Sequence, residues 1–201
     1  EQFICSSTGA LDLDSIPEKV AVIGGGYIGL ELGIALRRLG SEVTVIEGLE
    51  KVMAIFDDEL RRPLITWLRK NGVKTHTNCL AQGAEIKGSK VELTWKDGDK
   101  GMQSEKFDKV LVTVGRKPNT KGWGLENMGL RMDTDGRFIR IDEQCKTSMK
   151  GVYAIGDVSG EPMLAHRASA QGEMVAEIIA GHKRIFDPVA IPAIVFTEPE
   201  I

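Results

Sequence analysis

Gly24, Gly26 and Gly29 stand in a G-x-G-x-x-G pattern directly after the apolar run Val20-Ala21-Val22-Ile23, and a helix-like stretch follows them. That order, strand then glycines then helix, is the one a dinucleotide-binding turn requires. Each glycine has a physical task. Gly24 lets the strand reverse sharply, Gly26 leaves no side chain in the way of a pyrophosphate, and Gly29 lets helix and strand approach closely. The phosphates would lie against unpaired N–H groups at the helix N-terminus, where the macrodipole favours negative charge.

A carboxylate completes the pattern. Glu47 ends a second β-rich run, Glu42-Val43-Thr44-Val45-Ile46-Glu47, about 18 positions after Gly29 and so close to the offset of about 20 at which an acidic residue holds the adenosine ribose. A carboxylate there accepts from ribose hydroxyls and repels a 2′-phosphate, so the spacing predicts NAD rather than NADP.

The elements that must position these groups are legible in outline. Ile28, Leu32, Ala35, Leu36 and Leu39 recur at helical spacing, Gly33 falls one turn beyond Gly29, and Gly40 supplies a C-terminal stop. A strand, helix, strand unit of this length is parallel and right-handed. Asp57-Asp58 opens a second helix with Leu60, Leu64, Trp67 and Leu68 on or near one face, ending at Asn71-Gly72, with Pro63 near its first turn. Val91, Leu93 and Trp95 alternate with polar residues before an Asp97-Gly98 turn and a return over 102–107, which reads as an antiparallel hairpin or meander. It delivers the chain to another buried strand, 110–114, ending at Gly115, where a ligand beyond the carboxyl ends of the strands would be met. Residues 120–136 are rich in turns. Short strands are expected at 138–141 and 151–157, the latter closing on Gly156-Asp157, and a helix at 164–179.

Bulk properties exclude several classes. The 201 residues carry 26 basic and 29 acidic side chains, a balance that points away from nucleic acid and anionic membranes. Arg37-Arg38, Arg61-Arg62 and Arg69-Lys70 read as solvated helix faces. No apolar run approaches a membrane span and the N-terminal residues carry no signal pattern, so a cytoplasmic protein is expected, or a mitochondrial-matrix one in a eukaryote. Cys5, Cys79 and Cys145 form no CxxC pair and read as structural thiols, and His76, His166 and His182 form no ligand cluster, so no metal is expected.

Several motifs together resemble the flavoprotein disulfide reductases, which carry two dinucleotide-binding domains. They are Ser7-Thr8-Gly9-Ala10, the 24–31 turn, the 39–47 strand, Gly115-Arg116-Lys117-Pro118-Asn119, Val152-Tyr153-Ala154-Ile155-Gly156-Asp157 and Met163-Leu164-Ala165-His166-Arg167-Ala168. Within that family the resemblance is strongest to the branch that reoxidises dihydrolipoamide for 2-oxo acid dehydrogenase complexes. It implies an α/β fold: a Rossmann-like, three-layer NAD-binding domain with an antiparallel β-meander, plus part of an FAD-binding domain. The expected division is 1–16 for the tail of an FAD-domain segment, 17–119 for the NAD-binding domain, 120–190 for the FAD-domain remainder and 191–201 for the start of an interface domain.

The resemblance also assigns roles. Tyr27 and Ile28 line a nicotinamide pocket, and Glu31 corresponds to a carboxylate paired with a lysine beside the flavin. Gly156 and Asp157 belong to the segment holding the flavin ribityl chain, and backbone amides of Met163, Leu164, Ala165 and His166 face the isoalloxazine. On residue type alone Tyr27 equally packs on the sheet, Asp157 caps its loop and His166 is a helix-end histidine. The implied cofactors are NAD and FAD, the implied partners lipoamide and a lipoyl-bearing complex, and the implied assembly a homodimer. The family's CxxxxC disulfide matches no pair among the three cysteines, and its first glycine fingerprint and its His-Glu base are also missing, so the chain is expected to be an internal fragment, inactive by itself and with no catalytic residue of its own. Relatives such as glutathione reductase, mercuric reductase and NADH oxidase, or a non-catalytic nucleotide-binding module, are the alternatives.

Overall fold

Alternation of side chains along the parallel strands decides which layer each residue serves. In the computed structural model, which describes residues 2–201, the elements run β1 (Ile4–Cys5), α1 (Ser7–Ala10), β2 (Lys19–Ile23), α2 (Tyr27–Arg38), β3 (Glu42–Ile46), α3 (Asp58–Lys70), β4 (Lys74–His76), β5 (Cys79–Lys87), β6 (Lys90–Asp97), β7 (Gly101–Phe107), β8 (Lys109–Val112) and α4 (Ala165–Ile179). Five strands form a parallel sheet in the order β1-β8-β2-β3-β4. Val20, Val22, Val43, Val45 and Leu111 point to one face, where they meet Leu30 and Ile34 of α2 and Leu64 and Leu68 of α3. Ala21, Ile46 and Val110 point to the other, where they meet Val91, Leu93, Trp95 and Phe107 of the antiparallel sheet β5-β6-β7. A strand buried on both faces needs a continuous apolar run, which 20–23 supplies, whereas the one-sided β6 needs alternation, which 91–95 supplies. The result is helix layer, parallel sheet and antiparallel sheet, the three-layer α/β arrangement expected.

Two helices differ in detail from their sequence patterns. The buried positions of α2 are Gly29, Leu30, Gly33, Ile34 and Leu36, while Ala35 and Leu39 are exposed. The glycines turn their own face to the strands, and that rotates the apolar stripe. In α3 the helix starts at Asp58, so Pro63 lies beyond the first turn and offers no N–H to the Glu59 carbonyl one turn back.

The chain divides into two compact units: the described residues up to Gly115 together with Ile194–Ile201, and Arg116–Ala193. Glu1 lies outside the described residues. β1 pairs with β8 inside the parallel sheet, and Val195 joins the core of the first unit. In the second unit the strands expected at 138–141 and 151–157 reduce to single bridges, Met132 with Ile139 and Lys146 with Tyr153. Extended backbone is present, but its N–H groups pair one at a time, as in Ile139 to the Val158 carbonyl and Ala154 to the Cys145 carbonyl. The helix expected at 164–179 is α4, with Leu164 as its N-cap. No helix is long and apolar enough to cross a membrane among the described residues.

Candidate functional site

The glycine turn closes the carboxyl end of β2, between β8 on one side and β3 on the other. From β2 the chain builds outward through β3 to β4 and returns on the far side as β8, so the turn lies at the switch point where an open α/β sheet forms its crevice. Gly24 adopts φ +102°, and a Cβ there would lie 2.6 Å from the Thr113 carbonyl oxygen. At Gly29 a Cβ would lie 2.5 Å from Thr113 Oγ1 and 2.9 Å from Val22 Cγ1, and would also run into the Gly24 carbonyl oxygen. Both glycines are demanded by packing. Gly26 is different, since a Cβ there would meet nothing within 4 Å. It is exposed, serves as N-cap of α2 without any side-chain cap, and no acidic residue occupies the first turn. The turn thus presents the positive end of a helix to open space. Gly33, by contrast, has ordinary clearances of 3.5 Å to Val43 and 3.6 Å to Val22, so the close packing expected of it is not required.

Glu47 reaches this turn from the end of β3. It is 9% exposed. Its Oε2 accepts from the Gly25 amide at 2.5 Å and its Oε1 from the Leu49 amide at 2.7 Å. A carboxylate offers about four lone-pair directions, so two bonds to the backbone leave room for further donors.

Residues that motif reading passes over complete the turn. Gly25 occupies an x position of the pattern, yet a Cβ there would lie 2.7 Å from Val52 Cγ1. Met53, at φ +52°, donates its amide to the Gly25 carbonyl at 2.9 Å. The 47–53 segment therefore clasps Gly25 by its N–H, its carbonyl and its missing side chain. From the other flank Thr113 Oγ1 donates to the carbonyls of Ile23 and Gly24 at 2.9 and 3.1 Å. The clasp is anchored by Arg61. Expected on a solvated face, Arg61 is 4% exposed, while its neighbour Arg62 is exposed. It shares the buried face of α3 with Leu64 and Leu68, donates through Nη1 to the Val52 carbonyl at 3.1 Å and pairs through Nη2 with Asp58. The spacing 61, 64, 68 was the available signal.

The other predicted residues of the first unit lie near the turn. Tyr27 and Ile28 begin α2, both half-buried, with Tyr27 packed against the helix-side core. Glu31 Oε1 accepts from the Phe196 amide at 2.8 Å. Gly115 follows β8 at φ +126° with open space around it.

In the second unit Gly156 and Asp157 lie in a short 3-10 turn, Gly156–Ser159, held to α4 by buried polar groups. The Gly156 amide donates to Gln171 Oε1 at 2.7 Å, and Arg167 Nη1 donates to the carbonyls of Gly156 and Gly160 at 3.3 and 2.8 Å. Gly156 has φ +70°, and a Cβ would lie 2.8 Å from Ala168 Cβ. Arg116 pairs with Asp157 through Nη2 and donates through Nη1 to the Met163 carbonyl at 2.8 Å. That one guanidinium brings Asp157 to the segment Met163-Leu164-Ala165-His166. The N-terminus of α4 has no side-chain cap and no acid in its first turn, and the exposed His166 ring meets the Pro192 carbonyl at 2.8 Å.

Comparison with known proteins assigns the chain to a family. The family model described as pyridine nucleotide-disulphide oxidoreductase matches residues 1–172. Dihydrolipoyl dehydrogenase of Pseudomonas aeruginosa is 50% identical over 198 residues, covering 98% of this chain and 41% of that protein. That of Geobacillus stearothermophilus is 45% identical over 197 residues, with 98% and 42% covered. Among solved structures, LpdA from Mycobacterium tuberculosis matches with a TM-score of 0.81 at 31% identity, over 94% of this chain and 40% of that one. The copper(II) complex of the HOCl-induced flavoprotein disulfide reductase RclA from Escherichia coli matches with a TM-score of 0.88 at 26% identity, over 98% and 45%. The chain thus spans about two fifths of the length of the curated relatives. A match running from the first residue through the glycine turn and into α4 leaves one assignment: the chain belongs to the pyridine nucleotide-disulphide oxidoreductase family.

Proposed function

We propose that the 24–29 turn binds NAD, and that the whole protein is an oxidoreductase passing electrons from dihydrolipoamide, through a disulfide and FAD, to NAD. The observation that carries the reading is the open, uncapped Gly26 end of α2 beside the Glu47 carboxylate. The residues present fit the group: a side chain is absent where a phosphate must approach, the helix end is positive, and the nearest acid is placed for ribose rather than phosphate. Amides at Gly26 and the start of α2 hold the pyrophosphate, and Glu47 accepts from the ribose hydroxyls. Tyr27 and Ile28 border the nicotinamide, and Gly115 leaves the chain beyond β8 open to approach.

The second unit is proposed to contribute to flavin binding. Gly156 and Asp157 hold the ribityl chain. The uncapped start of α4, from Met163 to His166, fits an electron-rich ring, since its dipole favours negative charge there. Glu31 is proposed to orient a cation beside the flavin. In this reading residues 17–119 serve NAD and 120–190 serve FAD. NAD supplies the hydride acceptor and FAD the relay from thiols; this chain supplies orientation and electrostatics. Identity of 45% and 50% with dihydrolipoyl dehydrogenases supports lipoamide as substrate; a lipoyl-bearing 2-oxo acid dehydrogenase complex as partner and a homodimer as the working form are part of the same proposal.

Calorimetric titration tests the NAD half: NADH binds the chain at least about tenfold more tightly than NADPH, and equal or reversed preference overturns it. Dihydrolipoamide-dependent NAD reduction by the whole protein tests the rest, and a protein that binds NADH without turnover is a binding module instead.

A further inference from the structure

A groove of about 680 Å³ runs between α3 and the edge strand β4. Its apolar wall is Val52, Ile65, Leu68 and Val73. Its charged lining is unbalanced: four bases, Lys51, Arg61, Arg69 and Lys74, stand against two acids, Glu50 and Asp58. Lys51 and Arg61 are both spent on Asp58, whose carboxyl is held below its ordinary range by the bond from Arg61 and then by Lys51. Arg69 and Lys74 line the same groove and make no ion pair among the described residues. On the inner wall the Arg61 Nε is buried and has no hydrogen-bond partner. A buried donor without an acceptor is uncommon enough to need a reason. The groove therefore holds surplus donors beside an apolar wall, within the size range of small-ligand sites. An inorganic anion would leave the four apolar side chains facing its hydration shell, whereas a carboxylate on an apolar body satisfies both halves.

We propose that this groove is a second ligand site, for a carboxylate carrying an apolar body of about the size of a medium-chain acyl group, and that its occupancy weakens dinucleotide binding. The link is Arg61, which lines the groove and also holds the Val52 carbonyl, one residue from the Met53 amide that bonds Gly25. An oxyanion in the groove competes for that guanidinium and loosens the clasp. This link rests on the reading of the glycine turn as the NAD site.

Titration of the ¹⁵N-labelled chain with octanoate, with acetate and inorganic phosphate as charge-only probes, tests the site. Octanoate saturates with a Kd of about 1 mM or tighter and shifts amides at Ile65, Leu68 and Val73, while acetate and phosphate bind at least about tenfold more weakly. The R69Q/K74Q double variant keeps the native spectrum and binds octanoate at least about tenfold more weakly, because charge-assisted bonds to the head group are gone. Octanoate shifts that map elsewhere, equal affinity in the double variant, or phosphate binding as tightly as octanoate overturns the site. Octanoate at a concentration that saturates the native chain raises its Kd for NAD at least about threefold and raises that of the weaker-binding double variant less, and saturating NAD weakens octanoate binding to the native chain by the same factor, the reciprocity that linkage demands; an NAD affinity indifferent to octanoate overturns the link. A chain that binds octanoate in the groove and never binds NAD overturns the dinucleotide reading, and the link with it, while the groove stands on its shift map.

Discussion

A methyl group added at Gly29 has nowhere to go, because the Thr113 hydroxyl, the Val22 side chain and the Gly24 carbonyl already occupy its place. Gly29→Ala is expected to lower stability by about 1–3 kcal/mol, the usual scale of overpacking, and to abolish NADH binding. At Gly33 the same methyl finds ordinary clearance in mid-helix. Gly33→Ala is expected to be neutral or to stabilise by about 0.5–1 kcal/mol, since glycine costs a helix that much. Gly26→Ala separates binding from folding. It leaves the melting curve within about 0.5 kcal/mol of native, as an open surface substitution does, yet weakens NADH binding by crowding the pyrophosphate. Thermal denaturation and calorimetry on the three variants check the set, and equal behaviour at Gly26 and Gly33 would remove Gly26 from the site. Glu47→Ala strips the acceptor from the Gly25 and Leu49 amides. It should cost about 1–3 kcal/mol, the desolvation penalty of an orphaned group, and lower NADH affinity; an unchanged titration removes Glu47 from the site.

At the scale of elements, short polar straps fix the layers. Asp108 sits between β7 and β8, accepting from the Lys19 amide at 2.8 Å where β2 begins and from Lys90 Nζ at 2.8 Å where β6 begins. Burial pushes its carboxyl up, but these two partners outweigh burial and hold it below its ordinary value. A depressed folded pKa gives stability that is present above the unfolded pKa of about 3.9 and lost as pH falls through the folded pKa. Asp108→Asn is therefore expected to lower stability at neutral pH and to flatten the acid limb of the unfolding curve, measured by denaturant titration from neutral to acid pH. The α4 strap behaves differently, because Gln171 is 1% exposed and accepts from Gly156. Gln171→Leu leaves that amide unpaired at a cost of about 1–3 kcal/mol, and the Gly156–Asp157 turn should lose protection in hydrogen exchange. Such straps are also where sequence reading stops. The period-two run in β6 and the apolar run in β2 named their layers, because hydrophobic burial is what those patterns encode. The buried faces of α3 and α4 include Arg61, Arg167 and Gln171, whose types predict exposure until the carbonyls they serve are known.

For the whole molecule, the glycine turn, Glu47 and the start of α4 were legible because each depends on residues near in sequence. The clasp by Val52 and Met53, the Thr113 bonds and the Arg116 bridge to Asp157 join residues about 30 to 90 positions apart, and no local period announces them. The expected strands at 138–141 and 151–157 failed for a related reason: β-branched texture sets extended backbone, but a ladder also needs a neighbour along its length. At this scale the chain carries Cys5, Cys79 and Cys145 as buried thiols without a CxxxxC pair. Dihydrolipoamide turnover by these 201 residues alone is expected to be nil, and robust turnover in an NAD-coupled assay would overturn the proposed division of labour. Burial pushes the Cys145 thiol above its ordinary value. A raised folded pKa gives stability present below the unfolded value and lost as pH rises through the folded one, so melting temperature should fall above about pH 9, and less so in Cys145→Ala.

Glu47 deserves to be seen as a junction, because the carboxylate proposed to choose between cofactors also ties down Gly25 and Leu49. Anyone re-engineering this protein to accept a 2′-phosphorylated dinucleotide would begin by exchanging that acid for a neutral or basic side chain. The exchange would unfasten the very loop that the new cofactor must grip. A successful redesign has to restore both lost acceptors from another side chain before the altered charge can show its effect.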